Sequence, residues 1–439
     1  MGATSLLIFP LLLTFLFLGF PVAFSMLAAG AVFGYATFGD AFVFQAMEKI
    51  EDVASNFVLA AVPLFVFMGS MLERSGIADK LFEAIHLWTR RLPGGLAIGT
   101  ILMCIVFAAS SGVVGATETV IGLLAIPVMM RYRYNKELIV GTICAGGSLG
   151  TIIPPSVVAV VMGPLAQVSV GDLLVGMIFP GLIMAGSYIL YTLILCTVKP
   201  EHGPRIPPTA DDPPLAEKLR VTGVALVPPM FLIFAVLGSI MLGWAAPTEA
   251  AALGAAGSVL LTLFYRTFTL RTLHEAIMKT LAVSTMIMAI LLGGSIMTGA
   301  FVGSGGIAVT QQLVNSMNLG PWGVLCIVLL LAFIAGFFID WISIVLILVP
   351  IFAPLLKSQG VDMAWFCISL LIVIQTSYLS PPMAPAIFYF RAISPPEITT
   401  AHMYRGVIPF IVLQLITLAM VLVFPATVLW LPKMLLTPG

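Results

Sequence analysis

The chain has 439 residues, of which 60% are hydrophobic and 9% charged, with a mean hydropathy of +1.14. These values exclude a soluble globular body and make nearly the whole chain membrane domain. Its 19 basic and 19 acidic residues balance, so nothing in the charge suggests a nucleic-acid partner.

In chain order, the first apolar run extends from Ser5 to about Tyr35. No Lys or Arg precedes it and it exceeds a signal-peptide core, so an uncleaved first span is expected. After a second span, Ile77 to Leu92 has the pattern of an amphipathic helix lying in the interface. A hairpin is expected over residues 93–130, with Ala109-Ser110-Ser111-Gly112 at its tip. Its second leg holds Gly115, Thr117, Glu118 and Thr119 where a lipid-facing span would be apolar, which favours re-entrance over two full crossings. A proline-broken helix over 138–166 follows, interrupted at Gly146 to Ser156, GGSLGTIIPPS. Residues 199–220 gather prolines and charges and should form an extended linker. An additional span over 221–242 then leads into residues 243–439, with a second interfacial segment at Ile307 to Asn318, a hairpin over 320–356 and a broken helix over 363–390.

The two halves repeat in the same order. Pro154-Pro155, then SVGDL at Ser169 to Leu173, then Pro180, corresponds to Pro381-Pro382, then SPPEI at Ser394 to Ile398, then Pro409. Each half makes an even number of crossings, so the additional span turns the second half over. The expected fold is all-α: a polytopic membrane protein of two inverted repeats, each with a re-entrant helical hairpin and a broken helix, residues 1–198 forming the first repeat. Loop charge tests this independently, because cytoplasmic loops concentrate Lys and Arg. Sixteen of the 19 basic residues fall on one face, and only Lys49, Lys357 and Lys433 on the other. The first face should be cytoplasmic, together with the N-terminus and the 199–220 linker.

A helix broken inside a bilayer leaves backbone groups without partners, each costing several kcal/mol in hydrocarbon unless protein, water or a ligand satisfies it. Proline donates no hydrogen bond, so each diproline frees carbonyls one turn upstream, beside the hydroxyls of Thr151, Thr376, Ser377 and Ser380. Such oxygen clusters suit a hard cation. The restarting half-helices direct their N-termini, each carrying about half a positive charge, toward the membrane centre, where they can hold a carboxylate without an arginine. Glu118 and Asp340 are the two acids expected at membrane depth. For Asp340 the alternatives are cation ligation and a helix cap; for Glu118 they are a site role and a buried structural hydrogen bond. Glu249, after Pro247, should be a first-turn acid. The five cysteines stand singly and should be small buried hydrophobes, and no histidine lies near a nucleophile spaced for a triad, so an enzyme is a poor fit.

These residues resemble the large membrane subunit of the tripartite ATP-independent periplasmic (TRAP) transporters, a branch of the ion transporter superfamily. The resemblance covers almost the full chain and rests on LGFPVAFSM (Leu18 to Met26), the SSG tip, GGSLGTIIPPS, AAPTEAAALG (Ala245 to Gly254), GFFIDWISIVLILVP (Gly336 to Pro350) and SYLSPPMAPAIFYF (Ser377 to Phe390). It implies uptake of a carboxylate coupled to Na+ by an elevator motion, with two partners: a small four-helix membrane subunit and a periplasmic substrate-binding protein. It further implies one sodium site between Ser110, Ser111 and Gly112 and the segment Gly150, Thr151 and Pro154. A second would join Gly336 and Asp340 to Thr376, Ser380 and Pro381. Substrate would lie between the tips, near Ser111, Gly115, Glu118, Pro155, Ser156, Ser377 and Pro382. GATETVIGLLAIP (Gly115 to Pro127) is closer to the branch labelled for mannitol, chloroaromatic or 2-oxo acid uptake than to the sialic acid branch. A single-component sodium and organic-anion symporter of the same superfamily is the main alternative. A channel-like or scaffolding protein is a third, and it predicts no sodium dependence.

Overall fold

A computed structural model describes residues 2–111, 115–206, 213–317, 319–382 and 384–436, and every regular element among them is helical. Helices satisfy their own backbone hydrogen bonds, as a chain this apolar requires in lipid. Six of them are long and apolar enough to cross a membrane, or seven if one bent pair is counted as a span. This is a polytopic membrane protein.

The first departure from expectation is at the N-terminus. The single span expected from Ser5 to Tyr35 is instead two helices, α1 (Ile8–Phe17) and α2 (Val22–Phe38). Gly19 adopts φ 88° and Pro21 is extended at φ −56°, ψ 143°, so no helix can run through. Next come α3 (Ala41–Ala54) and α4 (Ala61–Glu73), the bent pair, set at 51°. The amphipathic α5 (Ile77–Thr89) covers most of the first expected interfacial segment.

The first hairpin is α6 (Gly95–Ser111) packed on α7 (Ala116–Arg131). Their 17 and 16 residues, at roughly 1.5 Å each, fall short of the roughly 30 Å of hydrocarbon a full crossing needs. Beyond it, α8 (Lys136–Ser148) tightens into a 3-10 turn at Leu149–Thr151, breaks, and restarts as α9 (Val157–Ala166). The half closes with α10 (Val170–Gly176) and α11 (Ile178–Val198).

The linker is less extended than expected. Its first part is stitched to the base of the first hairpin: Gly94 N–H donates to the Gly203 carbonyl at 3.0 Å, and Ile206 N–H to that of Arg90 at 3.1 Å. Its last part is already helix, because α12 (Leu215–Met241) begins six residues before the expected span. Glu217, Lys218 and Arg220 occupy its opening turns, where charged heads reach water while their stems stay apolar.

In the second half come α13 (Pro247–Phe264), α14 (Leu270–Gly303) and α15 (Gly306–Ser316), and Asn318 lies outside the described residues. The second hairpin is α16 (Pro321–Ala335) with α17 (Trp341–Ser358), and α18 (Met363–Leu379) with α19 (Pro385–Ile393) make the second broken helix. The chain finishes with α20 (Thr400–Val423) and α21 (Ala426–Leu435). Cys326 on α16 is exposed, unlike the other four cysteines, because it faces away from the protein interior.

Two helical layers result. In one, α2 packs on α14 so closely that a Cβ at Gly30 would come 2.8 Å from the Met297 Cα, and α4 and α13 extend the layer. In the other, α6, α7, α8, α18, α19 and α20 pack together. α17 touches α14 of the first layer and α18 of the second, bridging them, and also packs on α9.

Candidate functional site

At the first break the Leu149–Thr151 turn packs on α6, and Gly150, Thr151, Pro154, Pro155 and Ser156 are all buried. The Thr151 hydroxyl donates to the Ser148 carbonyl at 3.0 Å, and the Ser156 hydroxyl to that of Thr151 at 2.9 Å. At the second break the same arrangement recurs. Thr376, Ser377 and Ser380 hydroxyls donate to the carbonyls of Ile372, Ile374 and Thr376 at 2.8, 2.7 and 2.8 Å. Each hydroxyl spends its proton on a helix carbonyl and leaves oxygen lone pairs free to accept. The bonds Pro154–Pro155 and Pro381–Pro382 are both cis, but Pro381 and Pro382 are exposed where their counterparts are buried.

Asp340 caps α17. One carboxylate oxygen accepts the Ile342 N–H at 3.1 Å, one of the backbone donors that every helix start leaves open, and the other accepts the Ser343 hydroxyl. Glu118 does the corresponding work in the first hairpin, accepting the Gly115 N–H at 2.6 Å. Its carboxyl is fully buried, and its second oxygen has no partner among the described residues. Glu249 takes the Ala246 N–H at 2.8 Å, as a first-turn acid should.

Glycines carry the close contacts. A Cβ at Gly336 would lie 2.1 Å from the Ser377 Oγ, so the second hairpin seats directly on the second broken helix. A Cβ at Gly147 would lie 2.4 Å from the Glu118 carboxyl carbon, so α8 makes room for that acid. Gly115, at φ 93°, lies under the Tyr389 ring, 2.9 Å from where its Cβ would stand.

A cavity of about 1020 Å³ between the layers gathers Gly115 and Thr119 from the first hairpin, Gly336 and Asp340 from the second, and Ser377 and Tyr378 from α18. Val157 and Val158 of α9, Tyr389 of α19, and residues of α2 and α14 complete its wall, and the paired Glu73 and Lys279 stand at it too. Of the residues expected at the site, the cavity unites Gly115, Gly336, Asp340 and Ser377. Thr151, Pro154, Pro155, Ser156 and Thr376 lie in the packed interior beside it, and Glu118 sits behind Gly115. Gly112 lies outside the described residues, as do the side chains of Ser110 and Ser111.

Sequence reasoning missed Tyr378, Tyr389, Gly147 and the Glu73–Lys279 pair. The tyrosines lie within SYLSPPMAPAIFYF, already singled out, and a polar ring tip between apolar neighbours was the available signal. The ion pair joins α4 to α14, and nothing local links its members. A second cavity of about 620 Å³ lies between α3, α9, α14 and α17, and Gln45, Lys49, Asp52, Asn56 and Gln167 are among its polar lining.

The chain matches, over residues 9–427, the family described as Tripartite ATP-independent periplasmic transporter, DctM component. It is 30% identical to a C4-dicarboxylate TRAP transporter large permease protein from Pseudomonas aeruginosa, covering 88% of this chain and 89% of that protein. With the ectoine/5-hydroxyectoine large permease of Ruegeria pomeroyi it shares 30% identity, over 97% of each. A sialic acid large permease of Vibrio cholerae is 27% identical, also over 97% of each. Among solved structures, the Alcanivorax borkumensis YdaH transporter superposes with a TM-score of 0.64 at 14% identity, covering 96% of this chain and 98% of that one, and so shares the fold.

Proposed function

Since the chain belongs to the DctM component family of the TRAP transporters, we propose that it is the large permease subunit of a sodium-coupled system in a bacterial inner membrane, taking up an organic acid. A periplasmic binding protein delivers the acid and a small four-helix membrane subunit completes the complex. These partners follow from family membership.

The observation that carries the reading is the cavity of about 1020 Å³, where parts of both hairpins and of the second broken helix face α2 and α14. Lys279, the one cation among its described lining residues, is paired with Glu73. A carboxylate there would be held by the Tyr378 and Tyr389 hydroxyls, beside the N-termini of α7 and α17, whose dipoles favour anions even though Glu118 and Asp340 already cap their first amides. The lone pairs left at Thr151, Ser156, Thr376 and Ser380 support oxygen-only sodium sites at the two breaks, with Gly150, Pro154, Gly336, Asp340 and Pro381 beside them. Ser110, Ser111 and Gly112 would complete the first.

Lys279 and the neighbouring Arg74–Glu275 pair lie on the basic face, which we assign to the cytoplasm; the cavity containing Lys49 then faces outward. An elevator motion would carry the hairpin layer past α14, with α17 as the element that slides.

The decisive experiment is uptake in proteoliposomes containing the chain, a small four-helix membrane subunit and a periplasmic binding protein from the same organism, with an inward sodium gradient and a panel of labelled carboxylates. Uptake needing all three proteins and sodium is expected. Full uptake by the chain alone would overturn the tripartite reading, and sodium-independent flux would overturn the symport.

A further inference from the structure

Away from the cavity, four polar side chains meet in the middle of the hairpin layer: Ser148 at the end of α8, Tyr188 on α11, Gln375 on α18 and Gln414 on α20. All four are fully buried. Ser148 is the hub. Its hydroxyl donates to the Ala145 carbonyl at 2.8 Å and accepts from the amides of Gln375 at 3.3 Å and Gln414 at 3.4 Å. The Tyr188 hydroxyl stands beside Gln414 and Ser148, and among the described residues neither it nor the Oε1 atom of either glutamine has a hydrogen-bond partner.

Such a cluster is a poor stability device. Each buried acceptor left unpaired costs about 1–3 kcal/mol, and leucines at the same positions would pack without that loss. Buried polar groups kept at such a cost are best attested where they fix register. The register here is that of the two breaks. Ser148 is the last residue of α8, and its carbonyl holds the Thr151 hydroxyl at 3.0 Å. Gln375 directly precedes Thr376. One hydrogen-bonded node therefore joins the last regular turn before the first break to the last turns before the second.

We propose that Ser148, Gln375 and Gln414 are positioning residues that couple the two broken helices, so that a sodium ion ordering one break sets the geometry of the other. This rests on the sodium reading above. The coupling makes occupation of the two sites cooperative, and Gln414 contributes to it although it borders neither break.

The test uses the purified full chain and sodium chloride as the only probe, with choline chloride holding ionic strength constant, and reads thermal stabilisation against sodium concentration. Wild type should respond with a steepness above one. Gln375→Leu and Gln414→Leu should each reduce the steepness to one and raise the half-saturating concentration about tenfold, a shift typical of site-to-site coupling. The double variant should be no worse than either single one. Ser148→Ala, the smallest change, should reproduce the effect if a leucine variant fails to fold. A purely structural node would lower the melting temperature without altering the sodium steepness. A Gln414→Leu chain with the wild-type sodium curve overturns the coupling and leaves the sodium reading intact. A wild type indifferent to sodium overturns both.

Discussion

The two breaks are built from the same parts and live in different surroundings. Each ends a helix in hydroxyl-bearing residues, turns through a diproline and restarts, yet Pro154 and Pro155 are buried while Pro381 and Pro382 are exposed. The glycines that let each hairpin approach differ in the same sense. Gly147 accommodates the fully buried carboxyl of Glu118, whereas Gly336 meets Ser377 at the edge of the large cavity. A shared local device thus yields one break sealed into the core and one open to the site, and the packed layers around them decide which is which.

The comparison breaks most sharply at the glycines. Gly336→Ala puts a Cβ 2.1 Å from the Ser377 Oγ and 2.3 Å from its Cβ. The hydroxyl can turn to another rotamer but the Cβ is fixed by the backbone, so overpacking of about 1–3 kcal/mol should take uptake to background. Gly147→Ala meets the far end of a longer side chain, and Glu118→Ala should restore folding to it; the pair measured together in proteoliposomes separates a clash from a lost site. No rescue by Glu118→Ala would show that Gly147 serves more than to house the carboxyl.

The acids should differ next. Asp340 borders the cavity and caps α17 with both oxygens. Asp340→Ala should therefore cost about 1 kcal/mol of stability and also weaken the sodium response, whereas Asp340→Asn should keep the cap and lose only the sodium effect. Glu118→Gln retains an acceptor for the Gly115 N–H, and sodium titrations should leave it near wild type. Equal losses in Asp340→Asn and Glu118→Gln would place both acids in one ion site.

Exposure itself is a smaller but direct readout. In a chain carrying Cys326→Ala, so that the other four cysteines are buried, Pro382→Cys should react with a water-soluble maleimide and Pro155→Cys should not. Equal labelling would mean that the two breaks exchange environments in solution.

Much of this was legible in the residues, because the devices involved are local. Proline removes a donor wherever it stands, and the order of landmarks from Pro154 to Pro180 recurs from Pro381 to Pro409. What escaped was either averaged away or non-local. Hydropathy summed over Ser5 to Tyr35 hides the turn at Gly19 to Pro21, since both flanking helices are apolar. The start of α12 hides among charges that read as linker. The contact of Tyr389 with Gly115, and the meeting of Gln375, Gln414 and Ser148, join residues far apart in sequence, and only packing brings them together.

The surface helices that precede the two hairpins extend the contrast to solvent pH. α15 has no titratable side chain, whereas α5 has His86 stacked on Phe82 with ring centroids 5.8 Å apart. Burial, and then the nearby Arg90 charge, push His86 down from 6.5 to about 4. The folded chain therefore favours the neutral ring. Its contribution to stability is fully present above the unfolded value near 6.5 and is lost as pH falls toward about 4, because only the unfolded chain takes up the proton readily in that window. His86→Phe preserves the stack and removes the titration. Its melting temperature should fall less than that of wild type between pH 6.5 and 4, by on the order of 1 °C in a chain of this size. The same acid slope in both chains would locate the pH sensitivity elsewhere and leave α5 and α15 alike in this respect.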